Sequence, residues 1–371
     1  MEQLTKQSVG IDISKESFTA CVCTHYKTGE ERLSEVIEFK NLKSGFNQLI
    51  KWSRKITVPS LEVTFVMEAT GVYYENLAHH LYNLKQPVCV LLPNKVSHFA
   101  KSLNVKTKTD KVDARVIARM GAERKLSNWV PPHPLFKQLK DLTRGYSELM
   151  KEKTVFTNRL DALKSGYDPL AIIVQSHKAI IKKLDEQLAK FKAEIEALIY
   201  SEQWLSEKVK KVITIKGVGL MTVAVILAET QGFEFVQNIR QLCSYAGYDV
   251  IKRESGTSIS GKTKISKKGN SWIRGALHFP ALVASRHNSI MKKTYQRINN
   301  RNTHKMVGAT AIQRKILVLI YILWKNDSVF DEDYEAKRRN QKTLQRKAGS
   351  GISSLPAQDE LKSKDLKFSF V

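Results

Sequence analysis

The order of apolar segments over residues 8–100 constrains what this chain can fold into more than any other feature. Residues 8–23, SVGIDISKESFTACVC, alternate apolar and polar with a break at residues 14–16. That reads as two strands and a tight turn, or one long bent strand. Residues 32–40, RLSEVIEFK, read as a third, antiparallel strand, and Asn41 as the N-cap of a helix through Phe46, Leu49, Ile50 and Trp52. Residues 63–69, VTFVMEA, are nearly all apolar, as in a strand buried on both faces. A helix follows over residues 73–84, with Leu77, Leu81 and Leu84 on one side. PVCVLL (87–92) makes another strand, and a further helix starts near Asn94.

Composition alone predicts only an α/β domain. The order of three strands, helix, strand, helix, strand, helix narrows this to a ribonuclease H-like domain over residues 1–130. After Pro131 and Pro132, Leu135, Leu139, Leu142, Leu149, Val155, Leu160 and Leu163 recur at helical spacing. Gly166 and Pro169 interrupt the run, and Ile180, Leu184, Leu188, Phe191, Ile195 and Leu198 continue it. Residues 131–205 are therefore expected to form a helical hairpin or coiled coil, suited to spacing domains or pairing protomers. Residues 206–330 read as a second, mainly helical globular domain, and 331–371 as a basic, disordered tail.

The formal net charge is +25. Such an excess favours a polyanionic partner, because each phosphate neutralised releases condensed counterions. The charge is also unevenly placed: the 72 residues from Ser255 to Asn326 hold 14 Lys or Arg and no acid. A solvated basic face accounts poorly for so long an acid-free folded segment, so nucleic-acid binding is expected. Cys21 and Cys23 share a strand face with no His at zinc-ligand spacing, and read as small buried hydrophobes. The start, MEQLTKQ, has no apolar signal region, and the apolar stretch from Ile316 to Trp324 is too short to span a bilayer. A cytoplasmic, nucleoid-associated protein is expected.

Four acids stand out. Asp12 lies in an apolar strand, GIDIS, where an ionised carboxylate is costly without a cation or hydrogen bonds. Glu68 ends VTFVME just before a Gly turn. Asp110 and Asp113 lie three apart at a helix start, on one face. Singly, Asp110 reads as an N-cap, Asp113 as a first-turn acid favoured by the helix dipole, and Glu68 as a turn-bonding acid. Together they read as a metal cluster, because carboxylates converging on one cleft repel unless divalent cations intervene. Mg²⁺ suits an all-oxygen set of this kind. Lys108, Lys111 and Arg115, beside the last two acids, are candidate nucleic-acid contacts.

In the acid-free stretch, ESGTSISG (254–261) is surrounded by Lys252, Arg253, Lys262, Lys264, Lys267 and Lys268. A serine there would need a base or a polarised phosphate to act as nucleophile. A Ser/Gly-rich turn with phosphate-binding lysines explains the segment equally, and composition does not rank Ser255, Ser258 and Ser260. Upstream, ITIKGVGLMTVAVILAE (213–229) resembles a helix–hairpin–helix whose Lys216, Gly217 and Gly219 would meet a phosphate. A tight turn between core helices is the other reading. Arg274 completes the basic set.

Together, GIDISKE (10–16), MEATGVYYE (67–75), KTDKVDARVIA (108–118), IKGVGLMTV (215–223) and SYAGYDVIKRESGTSISGKTKISKKGNSWIRGAL (244–277) resemble the DEDD transposases of the insertion-sequence-110 family, in the family's order. The resemblance implies a RuvC-like domain, a coiled coil and a C-terminal transposase domain. It puts the acidic quartet on Asp12, Glu68, Asp110 and Asp113 with Mg²⁺, and the nucleophile on Ser255. It also implies donor and target DNA joined through a covalent phosphoserine link, a noncoding bridge RNA that selects the sites, and homodimers assembling into a homotetramer. Two alternatives remain: a metal-only Holliday-junction-type nuclease that needs the acids but not Ser255, and a non-catalytic nucleic-acid scaffold.

Overall fold

A computed structural model of the chain describes residues 3–107, 109–251, 254–255, 259–261, 263–331 and 333–334. It divides into two compact units, residues 1–132 and 133–371.

The first unit is an α/β layer structure. Strands β1 (Leu4–Ile13), β2 (Ser17–Tyr26), β3 (Glu31–Leu33), β4 (Ile37–Lys40), β5 (Val63–Glu68) and β6 (Val88–Leu91) form one sheet in the order β3-β2-β1-β5-β6, with β4 also on β2. β1 pairs antiparallel with β2 and parallel with β5, and β5 parallel with β6. The break at residues 14–16 is a hairpin turn. The expected third strand, residues 32–40, is instead two short strands: Ser34 leaves the ladder, and its hydroxyl accepts from Val22 N at 2.9 Å.

The sheet is covered on both faces. Val9, Ile11, Ile13, Phe65 and Met67 pack with Phe46, Leu49 and Ile50 of α1 (Lys43–Ile56) and with Leu77 and Leu81 of α2 (Glu75–Asn83). On the other face lie α3 (Pro93–Ser102) and α4 (Asp110–Glu123). The N-cap of α1 is Leu42, not Asn41; the Asn41 amide donates instead to Ser14 O (2.9 Å) and Tyr73 O (3.2 Å), tying two loops together. Cys21 and Cys23 are free and buried against Ala114, Ala118 and Ala122, as small hydrophobes would be.

α4 lies unusually close to the central strand because small residues face each other there. A Cβ on Gly10 would collide with the backbone of Ala114 and Ala118, and one on Gly121 would come within 2.8 Å of Ser8 Cβ. The Ser8 hydroxyl donates to Ala118 O at 2.5 Å, so the contact is fixed along the helix as well as close.

The second unit is mainly helical: α5 (Pro134–Ser165), α6 (Ala171–Tyr200), α7 (Gln203–Ile213), α8 (Leu220–Thr230), α9 (Ile239–Tyr245), α10 (Ser271–Ala276), α11 (His278–His287), α12 (Ser289–Asn299) and α13 (Lys305–Asn326). α5 and α6 run antiparallel. Gly145 faces Phe191, Lys153 pairs with Asp185 at 2.5 Å, and the Phe156 and His177 rings meet at 5.6 Å, so one helix descends as the other climbs. Leu135, Phe136 and Leu139 of α5 and Ile195 and Ile199 of α6 join the hydrophobic core built around α8 and α13. The apolar stretch expected over 316–324 extends into the full 22-residue α13, which is long and apolar enough to cross a membrane. Length therefore does not exclude a span, contrary to the sequence argument. Burial accounts for the composition: Ile312, Ile316, Leu317 and Ile320 are fully enclosed in the core.

Four short strands lie between α9 and α10: β7 (Val250–Ile251), β8 (Glu254–Ser255), β9 (Ile259–Ser260) and β10 (Lys264–Ile265). β7 pairs with β10 and β8 with β9, both antiparallel, as two separate two-stranded sheets. The second pairing lies inside the first in sequence, and residues 250–265 are termed the β-arm, with 252, 253, 256–258 and 262 outside the described residues.

Candidate functional site

Strand register brings the first two acids together. Ile11 pairs with Met67 across the parallel β1–β5 ladder, so Asp12 and Glu68 are the next residues on adjacent strands. Side chains alternate along a strand, and Ile11 and Met67 pack toward α1 and α2. Asp12 and Glu68 therefore emerge on the α4 side. The close seat of α4 on Gly10 then sets its first turn, with Asp110 and Asp113, over the strand ends. Thr109 caps that helix, its hydroxyl accepting from Val112 N, and the Thr19 hydroxyl donates to Asp110 O at 3.1 Å.

All four acids line one cleft of about 520 Å³, together with Thr19, Thr70, Ser97, Lys101 and Lys106. Asp12 is half-buried at its base. Burial first, then the charges of Asp113, Asp110 and Glu68, push its carboxyl up to about 6 from the ordinary 3.8. A divalent cation would relieve this crowding of negative charge, and the all-oxygen donor set suits a hard ion. Among the described residues, no three acidic, His or Cys side chains stand close enough to hold one ion between them. The chemistry of the cleft thus fits a cation, while the side chains stand farther apart than a single closed coordination sphere.

Lys111 and Arg115 are exposed on α4, and Lys108 lies outside the described residues. Sequence reasoning missed Thr19, Lys101 and Lys106. A threonine in a strand, a lysine in the last turn of α3 and another just beyond it carry no mark in one dimension that sets them beside a cleft.

In the second unit, Ser255 ends β8 beside its partner Ile259, at the far end of the nested β-arm. Lys264, Lys267 and Lys268 are exposed along and below the returning strand. Lys252, Arg253 and Lys262 lie outside the described residues, as do Thr257 and Ser258 and the chain beyond Tyr334. Arg274 is engaged at the arm's foot: its Nη1 donates to Ala246 O (2.8 Å), Gly269 O (3.1 Å) and Asn270 O (3.3 Å). Gly217 has φ +94° and stands within 3.1 Å, measured from an added Cβ, of Pro280 O, so the turn packs against α11. Gly219, the N-cap of α8, faces open space, and Lys216 is exposed.

Comparison with known proteins matches both units. Residues 9–169, which include all four acids, match a transposase model for the DEDD domain of IS110. Residues 209–296, which include the β-arm, match the model "Transposase IS116/IS110/IS902 family". The "Pilin gene-inverting protein" of Moraxella lacunata and that of Moraxella bovis are each 28% identical over 331 residues, covering 89% of this chain and 99% of the relative. The "Transposase for insertion sequence element IS1111A" of Coxiella burnetii is 26% identical over 312 residues, covering 75% of this chain and 78% of that protein. A solved Ppx/GppA family member from Aquifex aeolicus aligns over 94% of this chain and 99% of its own, but with TM-score 0.21 and 11% identity that likeness is too weak to bear on the fold. The protein is thus an enzyme of the DNA transposase and recombinase class. Within that class, the chain belongs to the IS110 family of transposases.

Proposed function

We propose that this transposase cleaves and rejoins DNA strands through Ser255, working with a Mg²⁺-dependent acidic site on a RuvC-like, ribonuclease H-type domain. The observation that carries the reading is the meeting of Asp12, Glu68, Asp110 and Asp113, from three separate segments, in one cleft. The sheet order β3-β2-β1-β5-β6, antiparallel on one side of β1 and parallel on the other, supports the RuvC-like assignment.

The residues divide the work. Asp12 and Glu68 on the strands, and Asp110 and Asp113 on the helix, would hold Mg²⁺, which when bound neutralises the acids and stabilises charge on the attacking and leaving oxygens. The Ser255 hydroxyl loses its proton to a base and forms an O–P bond to a DNA phosphate. The phosphodiester bond to the leaving deoxyribose oxygen breaks, and that oxygen takes a proton. Attack by a deoxyribose hydroxyl of another strand then releases the serine and restores the DNA. Lys264, Lys267, Lys268 and the undescribed Lys252, Arg253 and Lys262 would hold phosphates near the serine. Lys108, Lys111 and Arg115 would do so near the acids, and Lys216 with the Gly217–Gly219 turn near α8. Arg274 braces the arm.

The partners follow from the same reading: donor and target DNA, a noncoding bridge RNA that selects them by base pairing, and a homodimer assembling into a homotetramer in which acids and serine come from different protomers. The antiparallel α5–α6 pair would act as the coiled coil joining protomers. Exposed Tyr167, Leu170 and Ile172 near its tip support that role. The compartment proposed is the cytoplasm, at the nucleoid.

A metal-only nuclease would also use the cleft. Relatives named for gene inversion favour rejoining over cleavage alone, because an inversion must reseal every strand it opens. The test incubates full-length protein with Mg²⁺, labelled donor and target DNA, and RNA transcribed from the element's flanks. Asp110→Ala and Glu68→Gln should each lower recombinant product by at least about a hundredfold. Product formation at the wild-type rate in both variants would overturn the acidic site.

A further inference from the structure

Among the described residues, Glu229 is the buried charge that the proposed chemistry leaves unused. It lies near the end of α8, with its side chain 1% exposed. Arg144 of α5 holds it with both arms, Nε to Oε1 at 2.7 Å and Nη2 to Oε2 at 3.0 Å. Asn270 Nδ2 donates to Oε2 at 2.7 Å, and the Tyr245 hydroxyl donates to the Glu229 carbonyl at 2.9 Å. A buried carboxylate is tolerated only when it is so completely paired, and apolar residues would fill the same space at least as stably. The ion pair is thus weak evidence of stabilisation, and its visible effect is to join separate elements.

What it aligns is the foot of the β-arm. Asn270 follows the returning strand and caps α10, its Oδ1 accepting from Trp272 N (2.9 Å) and Ile273 N (3.2 Å). Its own N–H donates to Tyr245 O at 2.7 Å, at the end of the helix that leads into the arm. Both roots of the arm therefore meet at Asn270. Arg144 and Lys151, both of α5, also lie over the Trp272 ring at 5.4 and 4.5 Å. The long helical pair thus grips the arm's foot at two points.

We propose that Glu229 is a positioning residue that, with Arg144 and Asn270, locks the β-arm to the α5–α6 pair and thereby sets where Ser255 lies. The inference rests on the reading of Ser255 as nucleophile. Its physical basis is leverage. Ser255 lies five positions beyond Val250 in the sequence, a reach of up to roughly 17 Å if the chain between them is extended. A tilt of about 3° at the foot moves the tip by about 1 Å, a misplacement that costs about a hundredfold in rate when it falls between reacting groups. Because α5 is part of the same grip, a force on the helical pair reaches the serine.

The test compares wild type with Glu229→Gln, Arg144→Gln and the double variant, all full-length. Gln at 229 keeps an acceptor for Asn270 and loses the ion pair. Glu229→Gln removes the buried charge and leaves Arg144, 39% exposed on its side chain, to solvent, so it is the milder variant. Arg144→Gln strands the Glu229 carboxylate, and the double variant, which removes both charges, keeps the test open if that single variant does not fold. Three quantities are read: the rate of denaturant-resistant protein–DNA adduct formation, DNA affinity, and the rate of tryptic cleavage after Lys264, Lys267 and Lys268. The lock predicts adduct formation slowed at least about tenfold and arm cleavage accelerated by a similar factor. DNA affinity should stay within about twofold when each variant is assayed below its own melting transition. Arg144→Gln should melt lower than Glu229→Gln because it leaves a buried carboxylate unpaired, and the double variant should be no worse than the worse single one. Adduct and cleavage rates equal to wild type would overturn it, as would an adduct rate that falls only in proportion to affinity. Should wild type itself form no adduct, the serine reading fails by itself. The cleavage rates then decide the lock: unchanged rates reject it, and faster cleavage in both single variants upholds it.

Discussion

Asp12 shows what one residue contributes. An acid between Ile11 and Ile13 in a central strand is visible in the sequence as a contradiction, because ionisation there opposes burial. Its three acidic neighbours add to the same effect, and its folded-state proton affinity is raised to about 6 from 3.8. The folded chain therefore binds this proton more tightly than the unfolded chain does. Stability from this group is greatest below the unfolded value and is lost as pH rises through about 6. With chelator present, Asp12→Asn should raise unfolding stability at about pH 8, by on the order of 1–2 kcal/mol after allowing for solvent in the cleft, and change it little at about pH 4. Denaturant melts at the two pH values check this. Mg²⁺ should then stabilise wild type more than the variant at the higher pH. An equal response of the two proteins would remove Asp12 from the ion's partners.

At the scale of elements, the helix α4 and the strand β1 carry the site. Gly10 and Ala118 touch because neither has bulk to spare, and that contact sets the height at which Asp110 and Asp113 meet Asp12 and Glu68. Gly10→Ala should cost roughly 1–3 kcal/mol by overpacking and lower recombination further than the lost stability explains, since it lifts two acids off the other two. Urea melts alongside activity at saturating Mg²⁺ separate the two effects. An unchanged activity would mean that the helix seat is not what positions the quartet. Long periodic elements were legible before the fold was known: the helical pair, the β1–β2 hairpin and the strand ending in Glu68 all follow from spacing. The β-arm was read only as a turn, because its two-residue strands are too short for any periodicity. The split third strand was hidden because Ser34 substitutes its hydroxyl for a backbone acceptor. Arg144 and Glu229, 85 positions apart, have no sequence signal linking them.

For the whole molecule the governing quantity is charge. A net +25, with 14 Lys or Arg and no acid between Ser255 and Asn326, makes the second unit an electrostatic partner for phosphate. DNA affinity should fall steeply with salt, with a log–log slope of at least about −6 and similar slopes for unrelated sequences in the absence of RNA. A slope near −1 in a filter-binding titration would mean that few of these cations reach the backbone. Charge explains attraction and leaves the chemistry to the five residues proposed for it; that four acids share one cleft was legible from their strand and helix context. Ser255 was not. Its neighbours describe a basic turn equally well, and only the family resemblance distinguishes it from Ser258 and Ser260.

The most direct measurement is therefore on Ser255 itself. Full-length protein is quenched in denaturant during reaction with labelled DNA, digested, and the peptides are mapped by mass. The account predicts a nucleotide phosphate on the Ser255 hydroxyl, formed only with a divalent cation and absent in both Ser255→Ala and Asp110→Ala. Recombinant DNA made by Ser255→Ala at the wild-type rate, with no protein–DNA link in either protein, would contradict it and leave a metal-only enzyme.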